Sequence, residues 1–243
     1  MASRRGAMGL ELLPVIKMAR KIIQKHSLSV PFNLDELVKQ YAQIIYKQIP
    51  VDGVDGVCLN LKASRKTPTV IINSYSSRSR QKFTLAHELG HIIIPWHTGT
   101  FIDDINEDSP IPNTLYWQLE KEANRFASEL LVPFEWIYSL YKNNSNPEFL
   151  HSQICEQCGV SEAAASIRLH TAILEIESLL IPSKWALQLY EKHNDLSLVQ
   201  KLIVEKTMLH PKRVAYHMVQ HLPGQIAYCI ESEETVYGCG VLS

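Results

Sequence analysis

The chain has 243 residues and a net charge of −1, with 46% hydrophobic and 20% charged residues. This composition is typical of a globular protein with enough apolar side chains for a sizeable core. The near-neutral charge gives no reason to expect a nucleic acid or an anionic membrane as partner. Five irregularly spaced cysteines are not typical of a secreted disulfide framework, and no apolar run is long enough to cross a bilayer. We therefore expect a cytoplasmic protein.

The first predicted element is an amphipathic helix over residues 9–26, in which apolar residues recur at steps of three and four. Charged residues and a proline interrupt its apolar stretch, so the segment has no continuous signal-peptide core. Met1 and Met8 are both candidate start residues. A second helix is predicted after Asn33, because asparagine is a favourable N-cap and Glu36 follows three residues later.

Three short segments rich in branched residues come next, separated by Gly, Asp and Pro, and they predict the strands of a small sheet. They are residues 43–49, 56–61 and 67–74. The last of them is a candidate edge strand, to which an extended peptide could add as a further strand. A polar connection then leads into the next helix, for which Ser76 or Ser77 is the predicted N-cap.

That next helix contains the pattern H-E-x-x-H, formed by His87, Glu88 and His91. Each residue of a helix advances by about 100°, so the two histidines lie about 40° apart and one turn from each other. Both imidazoles can therefore bind one zinc ion, while Glu88 lies at the edge of the same face and can act on a water there as general base. The opposite side, which we expect to be buried, carries Leu85, Leu89, Ile92 and Ile93.

The alternative interpretation is a buried helix that contains histidines by chance, since this short pattern arises in about one chain in a hundred of this length. The apolar flanks and the strand-rich segment upstream favour the zinc site. Pro95 ends the helix, and residues 95–114 are predicted to form a loop with four acids over the cleft. This loop lacks the glycine and the regular spacing of a calcium-binding loop.

A catalytic zinc usually has three protein ligands, so a third ligand is expected downstream. The helix predicted over residues 115–132 offers two acids. Measured from the centre of its apolar stripe, Glu120 lies about 50° away and Glu122 about 110° away. Glu120 is therefore the inward acid and the favoured ligand, although a solvated acid near the helix start is its alternative role. Asn124 lies one turn later and can orient a ligand histidine by a hydrogen bond.

Peptide hydrolysis also needs a group that stabilises the oxyanion of the transition state. The candidates are His97, Tyr116 and Arg80. Each has a structural alternative: a loop residue, a core residue at the start of a helix, and a solvated charge, respectively. The sequence does not choose among the three.

Further helices are predicted over residues 134–142, 147–158, 161–179 and 183–192, and the alternating segment after Gly224 predicts a β-hairpin. Cys155 and Cys158 are interpreted as packing residues of a helix, in preference to a metal or redox pair. The segment around them resembles a helix-turn-helix, but its second helix offers only Arg168 and His170 as basic residues. DNA binding is therefore not expected.

Two motifs together resemble one known family. "RQKFTLAHELGHIII" followed by "EKEANRFASELLVP" is similar to the ImmA/IrrE-type metallopeptidases, a gluzincin-like group, and the resemblance covers roughly residues 9–180. It implies His87 and His91 as zinc ligands, Glu88 as base and Glu120 as third ligand. It also implies proteolysis of a regulatory protein, such as a repressor or an antitoxin, inside a bacterial cell.

We therefore predict an α+β, zincin-like fold that is mainly helical, with a small sheet of three or more strands packed on the H-E-x-x-H helix. Residues 1–182 are the predicted metallopeptidase domain, including a helical segment over 147–180. Residues 183–243 are a C-terminal extension that ends in the hairpin.

The predicted function is that of a zinc metallopeptidase, a hydrolase with one zinc per chain that cleaves a specific protein encoded nearby. The alternative is a regulatory sensor or binding module on the same scaffold, with weak or no catalysis. The intact Glu88 favours the enzyme, because a purely structural zinc site does not need that residue. The sequence does not determine the oligomeric state.

Overall fold

The fold is that of a computed structural model of the chain. It describes residues 13–51, 53–98, 101–102 and 113–207, together with residues 209, 211, 213–215, 218, 228–232 and 235–240. The chain divides into two compact units, Met1–His170 and Thr171–Ser243. This division falls inside a helix that begins at Glu162, whereas the predicted boundary at residue 182 follows that helix and stays a prediction.

Helices make up most of the described chain. They are α1 (Leu13–Lys25), α2 (Leu34–Val38), α3 (Arg78–Ile93), α4 (Asn113–Leu131), α5 (Phe134–Asn143), α6 (Pro147–Cys158), α7 (Glu162–Leu180), α8 (Ser183–His193) and α9 (Leu196–Thr207). The strands are β1 (Gln43–Lys47), β2 (Gly56–Leu59), β3 (Thr69–Asn73), β4 (Phe101–Ile102), β5 (Tyr228–Ser232) and β6 (Thr235–Gly240). The mainly helical α+β architecture expected from the sequence is confirmed.

The helix starts follow their capping residues. The side chain of Asn33 accepts a hydrogen bond from the Glu36 backbone N–H at 3.3 Å, as predicted for α2. Of the two candidate serines, Ser77 caps α3, because its hydroxyl accepts from the Arg80 backbone N–H. Helix α9 was not predicted, although Asp195 supplies a clear N-terminal signal by accepting from two backbone N–H groups of its first turn.

Strands β1 to β4 form one mixed sheet in the order β1-β3-β2-β4. β3 pairs in parallel with β1 and antiparallel with β2, so it is an inner strand. The suggestion that this strand offers an edge to a peptide is therefore wrong, because its backbone groups already pair on both sides. β4 lies in the segment predicted as loop and pairs with Val57 and Cys58 of β2; the acids of that loop, residues 103–108, lie outside the described residues.

In the second unit, β5 and β6 pair antiparallel, with Ser232 opposite Thr235. The two residues between them, at the expected turn of the hairpin, lie outside the described residues. Helices α8 and α9 contact each other in the same unit.

Helix α3 lies in the core of the first unit, where it contacts β2, β3 and α4. Leu85 and Leu89 are fully buried on it, as predicted. Ile92 and Ile93 are only half-buried, and the buried isoleucine is Ile94, just after the helix. Ile94 is not among the residues predicted to be buried. It is buried because the chain leaves helical geometry there and turns inward.

A buried ion pair connects α7 to α4 and involves the arginine of the second helix of the helix-turn-helix resemblance. Arg168, which is 1% exposed, binds Glu129 through Nη2 at 2.8 Å and donates from Nε to the Val132 carbonyl at 2.9 Å. The same carboxylate accepts from Arg20 at 2.8 Å. The one arginine of the second helix is thus part of the core and not of a basic surface.

Replacing Arg168 by Met is expected to lower the free energy of unfolding by about 3 kcal/mol, because it leaves the buried Glu129 carboxylate with the half-exposed Arg20 as its charged partner. Urea denaturation followed by circular dichroism measures the change. The matched control is Arg78→Met on the exposed start of α3, which should shift stability by less than about 0.5 kcal/mol. Equal stabilities for the two variants would contradict the role of this pair.

Candidate metal centre

Two helices bring the predicted ligands together. His87 and His91 lie on α3, Glu120 lies on α4, and Gly90 stands where the two helices meet. A Cβ at Gly90 would lie 3.2 Å from the Phe126 ring and 3.4 Å from the backbone of Ala123. The missing side chain thus allows the close approach that carries Glu120 to the two histidines.

The three side chains converge on one buried point. His87 Nε2 and His91 Nε2 are 2.9 Å apart, and the Glu120 carboxylate lies 3.1 Å from the former and 3.3 Å from the latter. Two ligands of a tetrahedral zinc, each about 2.0–2.2 Å from the ion, are about 3.3 Å apart. In the described part of the chain, His87, His91 and Glu120 are the group of such residues that could hold a metal ion. The residues present fit zinc.

The protonation states also suit a metal. Burial alone would raise the pKa of Glu120, but hydrogen bonds from His87 and His91 outweigh it and lower the pKa to about 2. Burial lowers the pKa of His91 to about 4, against the opposing effect of Glu120. At neutral pH the site therefore presents an ionised carboxylate beside a neutral imidazole, which are the forms that bind a metal ion.

Each histidine makes a second contact through its other ring nitrogen. His87 Nδ1 lies 3.0 Å from Asn124 Oδ1, so Asn124 is placed where the sequence predicted an orienting residue. His91 Nδ1 lies 2.9 Å from Nδ1 of His97, a contact that the sequence did not indicate. Since His97 is fully buried behind His91, its position does not suit the oxyanion role considered for it.

The helical phase of Glu122 predicts a position on the flank of α4, but the structure buries this residue. It is 5% exposed and its carboxylate accepts hydrogen bonds from Trp96 Nε1 at 2.5 Å and Gln118 Nε2 at 3.1 Å, while His97 Nε2 lies 3.0 Å away. The helical phase of Glu122 reflects one apolar stripe on α4. It does not reflect the turn after α3, which covers the side of α4 that carries Glu122. Of the two acids, only Glu120 reaches the histidine pair.

Glu88 is buried, with 3% of its surface exposed, on the turn of α3 that joins the two histidines. Burial and then the Glu88 charge raise the pKa of the Cys58 thiol of β2 to about 12. This effect places the Glu88 carboxylate near β2, in surroundings where an ionised carboxylate costs free energy.

An open cleft of about 480 Å³ lies beside the ligands. Its walls include His87, Glu120, Asn124, Tyr116 and Arg80. Two of the three oxyanion candidates therefore face this cleft. The Arg80 guanidinium is bound to Asp55, with Nε 2.6 Å from a carboxylate oxygen.

A second cavity, of about 650 Å³, adjoins the first and shares Phe83, Lys121 and Asn124 with it. Its far wall comes from α7, where Ile167 is 67% exposed. Lys121 and Arg125 supply positive charge beside this mainly apolar space, whose lining also includes the buried acid Glu122. The described surface next to the metal site thus combines an apolar cavity with basic residues.

Three of the five cysteines have described side chains, and these three form no second metal centre. Cys58, Cys155 and Cys158 carry free thiols, and burial raises the pKa of Cys158 to about 12. Both residues of the C-x-x-C pattern lie on α6, where Cys158 packs in the core. The packing interpretation of this pattern therefore agrees with the structure.

Residues 40–170 of the chain match the IrrE N-terminal-like domain of peptidase family M78. The chain belongs to this family. The match contains His87, His91 and Glu120, and it implies a zinc metallopeptidase-like domain. No curated protein gives a significant match to the chain. None of the helices within the described residues is both long and apolar enough to span a membrane.

Proposed function

We propose that this M78-family protein is a zinc-dependent endopeptidase with a zincin-like fold, in which His87, His91 and Glu120 hold one zinc ion per chain. The observation that carries the proposal is the convergence of two histidine nitrogens and one ionised carboxylate within tetrahedral reach of one point. When bound, zinc supplies a Lewis acid that polarises a carbonyl and acidifies water.

The remaining chemistry falls to side chains of this chain. Glu88 takes a proton from the attacking water and returns it to the leaving amine, so it serves first as base and then as acid. Asn124 keeps the His87 ring in place through its contact with Nδ1. Tyr116 and Arg80 both line the cleft and are the remaining candidates for oxyanion stabilisation, with the guanidinium of Arg80 oriented by Asp55.

The substrate we propose is a protein segment with an apolar side chain close to the scissile bond. The cavity next to the cleft supports this choice, because it has the size and lining to receive such a side chain. Lys121 and Arg125 would favour an acidic neighbour in the substrate by charge complementarity. From the family resemblance we propose a repressor or antitoxin encoded nearby, cleaved in the cytoplasm of a bacterial cell.

The second candidate function is a regulatory sensor or binding module on the same scaffold. The exposed Ile167 beside the cleft favours a protein contact of some kind, which both functions require. The two differ in Glu88, which serves hydrolysis but not simple binding. A chain that binds a partner and leaves it intact would favour this second function.

We expect the zinc-loaded chain, added to a lysate of its own source cells, to generate new N-termini in a small number of proteins. The same chain stripped by a chelator should generate none, and restored zinc should return them, because the Lewis acid is required. Mass spectrometry of labelled N-termini measures the result and reports whether apolar and acidic residues adjoin the cleavage sites. Identical N-termini in the zinc-loaded and stripped samples would contradict the enzyme.

A further inference from the structure

A line of three buried side chains leads away from the metal site. His91 Nδ1 lies 2.9 Å from His97 Nδ1, and His97 Nε2 lies 3.0 Å from Glu122 Oε2. All three residues are buried. Neither His97 nor Glu122 reaches the point on which the three ligand atoms converge.

Hydrogen-bond chemistry allows one arrangement of protons along this line when a metal is bound. His91 faces the site with Nε2, which must keep its lone pair, so its proton is on Nδ1. His97 must then accept with Nδ1, because two N–H groups pointing at each other would repel. Its own proton is consequently on Nε2, which donates to Glu122.

The far end of the line is firmly anchored. The Glu122 carboxylate also accepts from Trp96 Nε1 at one oxygen and from Gln118 Nε2 at the other, so it is held as an acceptor. The backbone of the turn is fixed as well, because the Lys62 ammonium donates to the carbonyl of His97 at 2.6 Å and to that of Ile94. These contacts hold both the ring and the backbone of His97 in place before any metal binds.

We propose that His97 and Glu122 are positioning residues that fix the proton and the ring orientation of His91 for zinc binding. The two ligand histidines are then held differently: His87 by the amide of Asn124 at the cleft, and His91 by a buried chain that ends in a carboxylate. A carboxylate at the end of such a chain also makes the ligand nitrogen more basic. This inference rests on the proposed zinc site.

The test uses three variants of the full chain. His97→Leu fills the space without polar atoms, Glu122→Gln removes the charge, and His97→Gln keeps an acceptor for His91 and a donor for Glu122. Zinc affinity is measured by competition with a chromophoric chelator, and the visible absorption of the cobalt-substituted protein reports the ligand geometry. The matched control is His26→Leu, because His26 contacts Tyr41 and lies outside the site.

We expect His97→Leu to weaken zinc binding roughly 10- to 100-fold and to change the cobalt spectrum, and Glu122→Gln to act in the same direction. His97→Gln should restore most of the affinity, and His26→Leu should leave both readouts unchanged. The double variant His97→Leu/Glu122→Gln should bind no more weakly than His97→Leu alone, since the two residues act through one chain. Circular dichroism of the metal-free variants checks that each is folded.

Unchanged zinc affinity and cobalt spectrum in folded His97→Leu or Glu122→Gln would overturn the proposal. So would additive losses in the double variant, or a loss of stability without any change at the metal. A wild-type chain that binds no zinc would contradict the metal centre itself and the positioning chain together. The proposed peptidase activity fails separately, if zinc binds normally and no substrate is cleaved.

Discussion

Glu88→Gln is expected to abolish peptide hydrolysis while leaving the zinc content of the chain unchanged. Glutamine has the size of glutamate but cannot take a proton from water, so the base of the reaction is lost. General acid–base groups contribute roughly 10²- to 10⁴-fold to enzyme rates, which sets the smallest loss to expect. The side chain is buried next to the proposed ligand His87 and is not itself one of the three converging groups.

The measurement is the rate of appearance of cleavage products with wild-type and variant chains at equal zinc loading, which elemental analysis verifies. Glu135→Gln provides the matched control, because Glu135 is exposed on α5 and away from the cleft. It should cleave at the wild-type rate. A zinc-loaded Glu88→Gln chain that does the same would exclude Glu88 as the base.

Glu120→Ala is expected to reduce bound zinc from about one ion per chain to a small fraction after dialysis. Among the described residues, Glu120 is the carboxylate that reaches both histidines, whose nitrogens are 2.9 Å apart, and the change removes it. Two neutral imidazoles on one helix do not complete a tetrahedral site. Zinc per chain, determined by mass spectrometry of the metal, measures the loss.

Two other acids serve as controls for this result. Glu156→Ala changes an exposed residue of α6 and should keep the full zinc content. Glu122→Ala should weaken zinc binding without abolishing it, since Glu122 acts on His91 through His97. Undiminished zinc in Glu120→Ala would contradict the ligand assignment, and loss only in Glu122→Ala would transfer the role to Glu122.

The convergence of His87, His91 and Glu120 could be predicted because it depends on the geometry of single helices. The spacing of His87 and His91 requires one turn of α3, and the phase of Glu120 on α4 turns it toward the core. Both inferences need only the period of a helix and an apolar stripe. The structure brings these three residues together as that reasoning expected.

The surroundings of the site could not be predicted, because they depend on how separate elements meet. Glu122 is buried because the turn after α3 brings Trp96 and His97 against it, and no periodicity in the sequence contains that contact. The same holds for β4, whose two residues are too few to show alternation. β3 became an inner strand only because β1 and β2 both pair with it.

The role of Arg168 could not be predicted from the local sequence pattern around it. The helix-turn-helix resemblance of α6 and α7 follows from a glycine in the left-handed conformation, Gly159, that joins two helices in many folds. The one arginine of its second helix, Arg168, pairs with Glu129 in the core. Only the position of the partner carboxylate, 39 residues earlier, distinguishes a buried arginine from a DNA-binding one.

The function we propose for this chain is the cleavage of a specific protein at a zinc site. The most direct measurement is co-expression of the chain with each protein encoded by its neighbouring genes, comparing wild type with Glu88→Gln. We expect the band of one intact neighbouring protein to disappear with the wild-type chain and to persist with the variant. Identical bands with both chains for every neighbour would contradict it.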